Sequence, residues 1–138
     1  MTASDFPRIV LCKADGTLYD LTGTALAAVP TFASFRSGAS TNSTLVAAGA
    51  RTIWDMSILN TTATQKFVKL YDKATAPVVG TDGVFENFGV AANSTLPILS
   101  IVGRRFLLGI GFGITGAAPW ADTTATAVGD VFLHVNYS

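Results

Sequence analysis

Apolar and polar positions alternate with a period of two through much of the chain. In Arg51–Asn60, Trp54, Met56 and Ile58 fall on one face and Asp55 and Ser57 on the other, the pattern of a half-buried strand. Gln65–Asp72 places Phe67 and Tyr71 opposite Val68 and Leu70. Asp130–Tyr137 places Val131, Leu133, Val135 and Tyr137 opposite Phe132, His134 and Asn136. The most distinctive run is Leu108–Ile114, where Leu108, Ile110, Phe112 and Ile114 alternate with Gly109, Gly111 and Gly113. As a strand it has one apolar face and one face bare of side chains. Glycine in a strand costs backbone entropy, so three at this period predict that something packs flush against the bare face.

Turn residues punctuate these runs. Asp15-Gly16 between Arg8–Lys13 and Thr17–Leu21 predicts a hairpin. Thr81-Asp82-Gly83 predicts a turn between Pro77–Gly80 and Val84–Phe88, and Thr115–Gly129 reads as a long loop before the last strand. Many short strands at close spacing predict an all-β fold, a β-sandwich or jelly roll of antiparallel strands. Thr22–Ser43 has weak periodicity and one charge, Arg36. It reads as an extended arm or long loop, so the expected organisation is a hairpin and arm over 1–43 and a sandwich over 44–138. Asn42-Ser-Thr-Leu and Asn93-Ser-Thr-Leu both precede strand regions, a recurrence that chance accounts for in a chain so rich in Thr and Ser.

Composition adds a constraint. The 138 residues fit one domain of ordinary size. Thr and Ala dominate and the only glutamate is Glu86, which disfavours exposed helices. Hydrophobic residues make up 49% and charged residues only 13%, about half the usual charged share. Such a surface is hard to solvate, and hiding part of it against other subunits is the natural remedy; an oligomer is expected. Net charge is zero, with nine basic residues thinly spread, so no nucleic-acid footprint is expected. The apolar tracts Leu96–Val102 and Phe106–Ile114 are far shorter than the roughly 20 residues of a spanning helix, so no membrane partner is expected. Met1-Thr-Ala-Ser-Asp-Phe-Pro has no leader pattern, and the single Cys12 excludes an intramolecular disulfide framework. Synthesis and folding in a reducing cytoplasm are expected.

Candidate chemistry is sparse. The one histidine, His134, lies inside the last strand, and one His with one Cys cannot build a zinc set within the chain. Asp122 and Asp130 lack the acidic cluster of a calcium site. Most other acids, among them Asp15, Asp72 and Asp82, flank strand ends, where turn formation explains them. The alternating glycines do not have the spacing of a phosphate or dinucleotide loop. No enzyme, cofactor or metal is therefore expected. Trp120, beside Pro119 in the long loop, could stack on a sugar, although tryptophan more often anchors a protein contact.

Two strings carry a resemblance. The run Phe67-Val-Lys-Leu-Tyr-Asp-Lys-Ala-Thr-Ala-Pro-Val-Val-Gly-Thr-Asp82 resembles a signature of small proteins of tailed bacteriophages and prophages. Gly111-Phe-Gly-Ile-Thr-Gly-Ala-Ala118, with Asp122-Thr-Thr and Ala127-Val-Gly-Asp-Val131, is similar to their C-terminal part. The likeness covers about residues 44–138, and most such relatives have no assigned role. It implies a virion structural component with a sandwich or jelly-roll fold and no catalytic residues. The expectation is a capsid decoration, or cement, protein on the outer surface of the head, a homotrimer bridging major capsid proteins. Phe32, Phe35 and Arg36 are expected at the capsid contact, and Gly109, Gly111, Gly113 and Trp120 at the subunit contact. A tail or fibre part that binds a glycan or receptor is the alternative.

Overall fold

The computed structural model describes residues 30–138 and two short strands before them, β1 (Leu11–Cys12) and β2 (Leu18–Tyr19). These two pair antiparallel, Leu11 with Tyr19 and Cys12 with Leu18, as the Asp15-Gly16 signal predicts. The turn itself, and residues 22–29 of the expected arm, lie outside the described residues.

Eight further strands follow: β3 (Thr31–Arg36), β4 (Thr44–Ala48), β5 (Arg51–Asn60), β6 (Lys66–Asp72), β7 (Glu86–Val90), β8 (Ser94–Phe106), β9 (Gly109–Thr115) and β10 (Val131–Tyr137). They form two four-stranded sheets, ordered β3-β10-β5-β8 and β4-β9-β6-β7. Strand 6 pairs with 7, 5 with 8, 4 with 9 and 3 with 10. Each pair nests outside the last, as when one long hairpin is rolled up, and that arrangement is the jelly roll. The expected fold class holds.

Inward-facing side chains of both sheets meet in one core. Ile53, Met56, Ile58, Val131, Leu133 and Val135 come from one sheet, and Val68, Leu70, Val90, Ile110, Phe112 and Ile114 from the other. The alternation read in β10 and β6 is the alternation observed. In β5 it is shifted: Trp54 is not on the face of Met56 and Ile58. Ile53 pairs with Tyr137 while Asp55 pairs with Asn136, so Trp54 is an extra residue between them. This bulge turns Trp54 out and buries Ile53 instead. Leu108 likewise leaves the apolar face expected for it, because β9 begins only at Gly109 and Leu108 lies exposed in the turn.

The sandwich also begins earlier than residue 44. Residues 31–36 form an edge strand rather than an arm, and the compact unit runs from Phe32 to Tyr137. Its periodicity is weak because Phe35 alone of its large side chains turns toward the core, packing edge-on against Phe112 with ring centroids 4.9 Å apart. Asn42 then anchors the connection to β4, accepting from the Gly38 amide at 2.6 Å and donating to Thr126 Oγ1 at 2.7 Å. Asn42 and Asn93 are the only non-glycine residues with positive φ among the described residues, at 52° and 49°. Asparagine tolerates that conformation, so the repeated Asn-Ser-Thr-Leu marks the same left-handed start of a strand twice.

Candidate interaction surface

The two sheets present very different outer faces. On β4-β9-β6-β7 the outward residues include Lys69 and Tyr71 of β6, which pair with Gly113 and Gly111 of β9. Two loops, 73–85 and 116–130, close over them. Pro77 lies on Gly111, where a Cβ would come within 3.1 Å of its Cδ, and Val79 lies still closer on Gly113. Asp82 holds the first loop, accepting from Lys73 Nζ at 2.5 Å and from the Val78 amide at 2.6 Å. These bonds keep its carboxyl below the ordinary range. The second loop is held by Lys69, whose buried Nζ donates to the carbonyls of Pro119 at 2.7 Å and Asp122 at 3.3 Å. Burial lowers the Lys69 pKa, opposed in part by the Asp122 charge. Asn87 Nδ2 adds a bond to the Ala118 carbonyl at 2.9 Å. Lys69 is thus an internal staple.

The outer face of β3-β10-β5-β8 carries aromatic and aliphatic side chains that remain open. Phe32 of β3 stacks on His134 of β10, with centroids 5.6 Å apart and planes 18° from parallel. Ser34 Oγ and His134 Nδ1 share a hydrogen bond of 2.5 Å, and the Arg36 guanidinium lies 5.8 Å over the Phe132 ring. Leu59 of β5 pairs with Phe132 on one side and Thr95 on the other. Asp55, pairing with Leu99, accepts from Asn136 Nδ2 at 3.1 Å.

The edge strand β8 departs from the ladder in the middle. Ile53 pairs with Arg104 and Asp55 with Leu99, so residues 100–103 stand opposite Trp54 alone. Gly103, at φ +74°, closes this excursion; a Cβ there would meet the Trp54 ring at 3.1 Å and press even nearer the Thr52 methyl. The excursion is therefore a shaped feature, fixed by a glycine and an indole. Its apolar residues point into solvent: Leu99 is 81%, Ile101 99% and Val102 88% exposed. Beyond it the chain is tied back. Arg104 Nε donates to Glu86 Oε2 of β7 at 2.7 Å, and its guanidinium lies 5.6 Å over Phe88. The turn into β9 is capped by Asp72, which accepts from the amides of Leu107, Leu108 and Gly109 at 3.0, 2.7 and 3.2 Å.

No family model and no curated protein matches the chain. Among solved structures it is similar to the coat protein of Tobacco streak virus, at 9% identity and a TM-score of 0.34, over 80% of this chain and 87% of that one.

The expected contact residues separate once placed. Phe32 (65% exposed) and Arg36 sit on the open face, but Phe35 faces the core and cannot reach a capsid without unpacking Phe112. Gly109, Gly111 and Gly113 are buried, with their bare face filled by residues of this chain: Lys73, Ala47 and Ala48 around Gly109, Pro77 on Gly111 and Val79 on Gly113. They are not a subunit contact. Trp120 is free of core duty, 67% exposed in the covering loop. Sequence reading missed Leu99, Ile101 and Val102, because the tract Leu96–Val102 was weighed only as a membrane segment. Pro97 within it and Gly103 after it were the available signals of an irregular edge strand. Among the described residues no helix could cross a membrane and no cluster of three His, Cys, Asp or Glu could hold a metal.

Proposed function

We propose that this chain is a non-enzymatic virion structural protein of a tailed bacteriophage, a capsid decoration protein on the outer surface of the head. The observation that carries the reading is the set of apolar side chains left open on the outer face of β3-β10-β5-β8, Phe32, Leu59 and Leu99, in a chain only 13% charged. The loops over the other sheet add the exposed Val78 and Trp120. Large apolar side chains left open on one sheet face are a mark of an interaction site. The strings at Phe67–Asp82 and Gly111–Ala118, similar to phage proteins, supply the context, and jelly rolls commonly build viral capsids. The action would be mechanical. Each copy bridges neighbouring major capsid proteins, and the apolar area hidden at each joint contributes roughly 25 cal/mol per Å² before ordering and association costs. Repetition over a shell multiplies modest contacts through avidity.

Copy number in purified virions tests the role directly. A decoration protein is present in hundreds of copies, and heads lacking it lose resistance to heat and osmotic shock. Unimpaired heads would refute it. The exposed Trp120 favours a second reading, a tail or fibre part that binds a host glycan. A glycan array with specific binding lost in Trp120→Ala would establish that reading instead.

A further inference from the structure

We infer that Lys69 and Asn87 form a covalent cross-link, a side-chain amide that ties β6 to the edge strand β7 with release of ammonia. The inference concerns the isolated chain and does not rest on the capsid role.

Placement comes first. β6 and β7 run antiparallel with Lys69 directly opposite Asn87, so their Cβ atoms stand roughly 4.5–5.5 Å apart on one face of the sheet. Both side chains reach carbonyls of adjacent residues in the covering loop. Lys69 Nζ donates to Pro119 at 2.7 Å, and Asn87 Nδ2 donates to Ala118 at 2.9 Å. One short stretch of backbone therefore holds the amine and the amide side by side. The lysine stem is flexible, and rotation about its last bonds carries Nζ toward the amide carbon of Asn87.

Neither group is well served as it stands. Asn87 Oδ1 is shut off from solvent and has no hydrogen-bond partner among the described residues, and such an orphan calls for an explanation. Lys69 is fully buried, and its amine rests on the neutral carbonyls of Pro119 and Asp122. A buried charge held by neutral groups carries a desolvation penalty. A secondary amide in its place carries no charge and has a single N–H to satisfy.

The chemistry balances without an oxidant or cofactor. Burial lowers the Lys69 pKa against the opposing Asp122 charge, so more of the amine is the neutral nucleophile than for a lysine in water. Nζ attacks Cγ of Asn87. The Nζ–Cγ bond forms, the Cγ–Nδ2 bond breaks, and Nδ2 departs as ammonia with the proton that Nζ gives up. Fixed proximity favours the attack. Conversion is slow at neutral pH, where most of the amine is protonated, so freshly prepared chain is the open form and Lys69 still titrates in it.

The test follows the intact mass of the full chain, held folded at about pH 9, below the ordinary lysine value of about 10.4. Mass spectrometry should show the loss of one ammonia. Digestion should then give a branched peptide joining residues 69 and 87, with trypsin unable to cut after Lys69. Chain unfolded in urea should not form this peptide. Lys69→Met should keep the full mass, as should Asn87→Ser, a change at a partly exposed position that spares the lysine staple. Cyclisation of an asparagine onto its own backbone also releases ammonia, but it would persist in Lys69→Met and leave no branched peptide. An unchanged mass in the folded chain overturns the inference. So does an ammonia loss that survives Lys69→Met, or one without the branched peptide.

Discussion

If the glycine face of β9 is filled by the chain itself, adding one methyl group at its centre should expel a specific neighbour. Gly113→Ala is that perturbation. A Cβ there falls within overlap distance of Val79 Cγ2, and the Thr41 carbonyl stands 3.4 Å away on another side. Val79 is β-branched and has few rotamers to escape into, so it must take a poorer one or the 73–85 loop must lift. Overpacking of this kind costs about 1–3 kcal/mol, reduced by about 0.4–1 kcal/mol because alanine narrows the unfolded ensemble. A net loss of about 1–2 kcal/mol corresponds to a melting temperature lower by roughly 4–12 °C for a domain of this size. Val79→Ala alone should cost about 2 kcal/mol from lost burial and the gap it leaves. In the double variant the new methyl occupies space the valine vacated. Its destabilisation should fall at least 1 kcal/mol short of the sum of the singles, a coupling expected only of residues in contact. Gly83→Ala, where a Cβ meets nothing within 4 Å, is the neutral control. Urea denaturation of the four proteins reads all of these quantities. If Gly113→Ala is as stable as wild type, or the two changes simply add, the face is filled by something else.

Three further outcomes follow from the same geometry. Phe35→Ala should destabilise by about 2–3 kcal/mol because it empties the contact with Phe112 from a partly buried site, whereas Phe32→Ala on the open face should cost under about 1 kcal/mol; urea midpoints separate the two. Burial opposes the charge of Asp72, but its three amide bonds prevail and hold the carboxyl below the ordinary range. The stability it lends is complete above the unfolded carboxyl pKa of about 3.9 and lost as pH falls through the lower folded value; Asp72→Asn should flatten that acid limb. Lys69 has the opposite linkage, its folded pKa lying below the unfolded value of about 10.4. Between the two the unfolded chain holds more protons, so stability should rise with pH there, and Lys69→Met should abolish the rise in thermal scans.

Most of the jelly roll was legible because period-two alternation survives wherever a strand is buried on one side. It fails where a physical exception intervenes. Trp54 reads as core by spacing, and one inserted residue turns it outward. β3 reads as arm because it is an edge strand with a single inward aromatic, too few for a period to show. The glycine face was correctly read as covered, but no local pattern could say that Pro77 and Val79 cover it, since those residues return from a different loop. Lys69 carried no signal at all. Its role depends on the Pro119 and Asp122 carbonyls, 50 and 53 residues away in sequence. Of the residues expected at contacts, Phe32, Arg36 and Trp120 are accessible, while the excursion of β8 depends on a register shift that sequence alone does not specify.

The low charge content acquires meaning once the charges are placed. Lys69 is tied to the 116–122 loop, Lys73 to Asp82, Lys66 to Asp130 at 3.5 Å, Arg104 to Glu86, and Asp72 to the β8–β9 turn. The ionic groups therefore serve mainly to fasten the loops over one sheet and to close the β7–β8 edge. On the other sheet Arg36 and Asp55 are engaged with Phe132 and Asn136, while Arg105 is exposed on β8. The fold itself needs no cover there, because its core is complete beneath. The exposed Phe32, Leu99 and Ile101 are therefore not what holds the fold together.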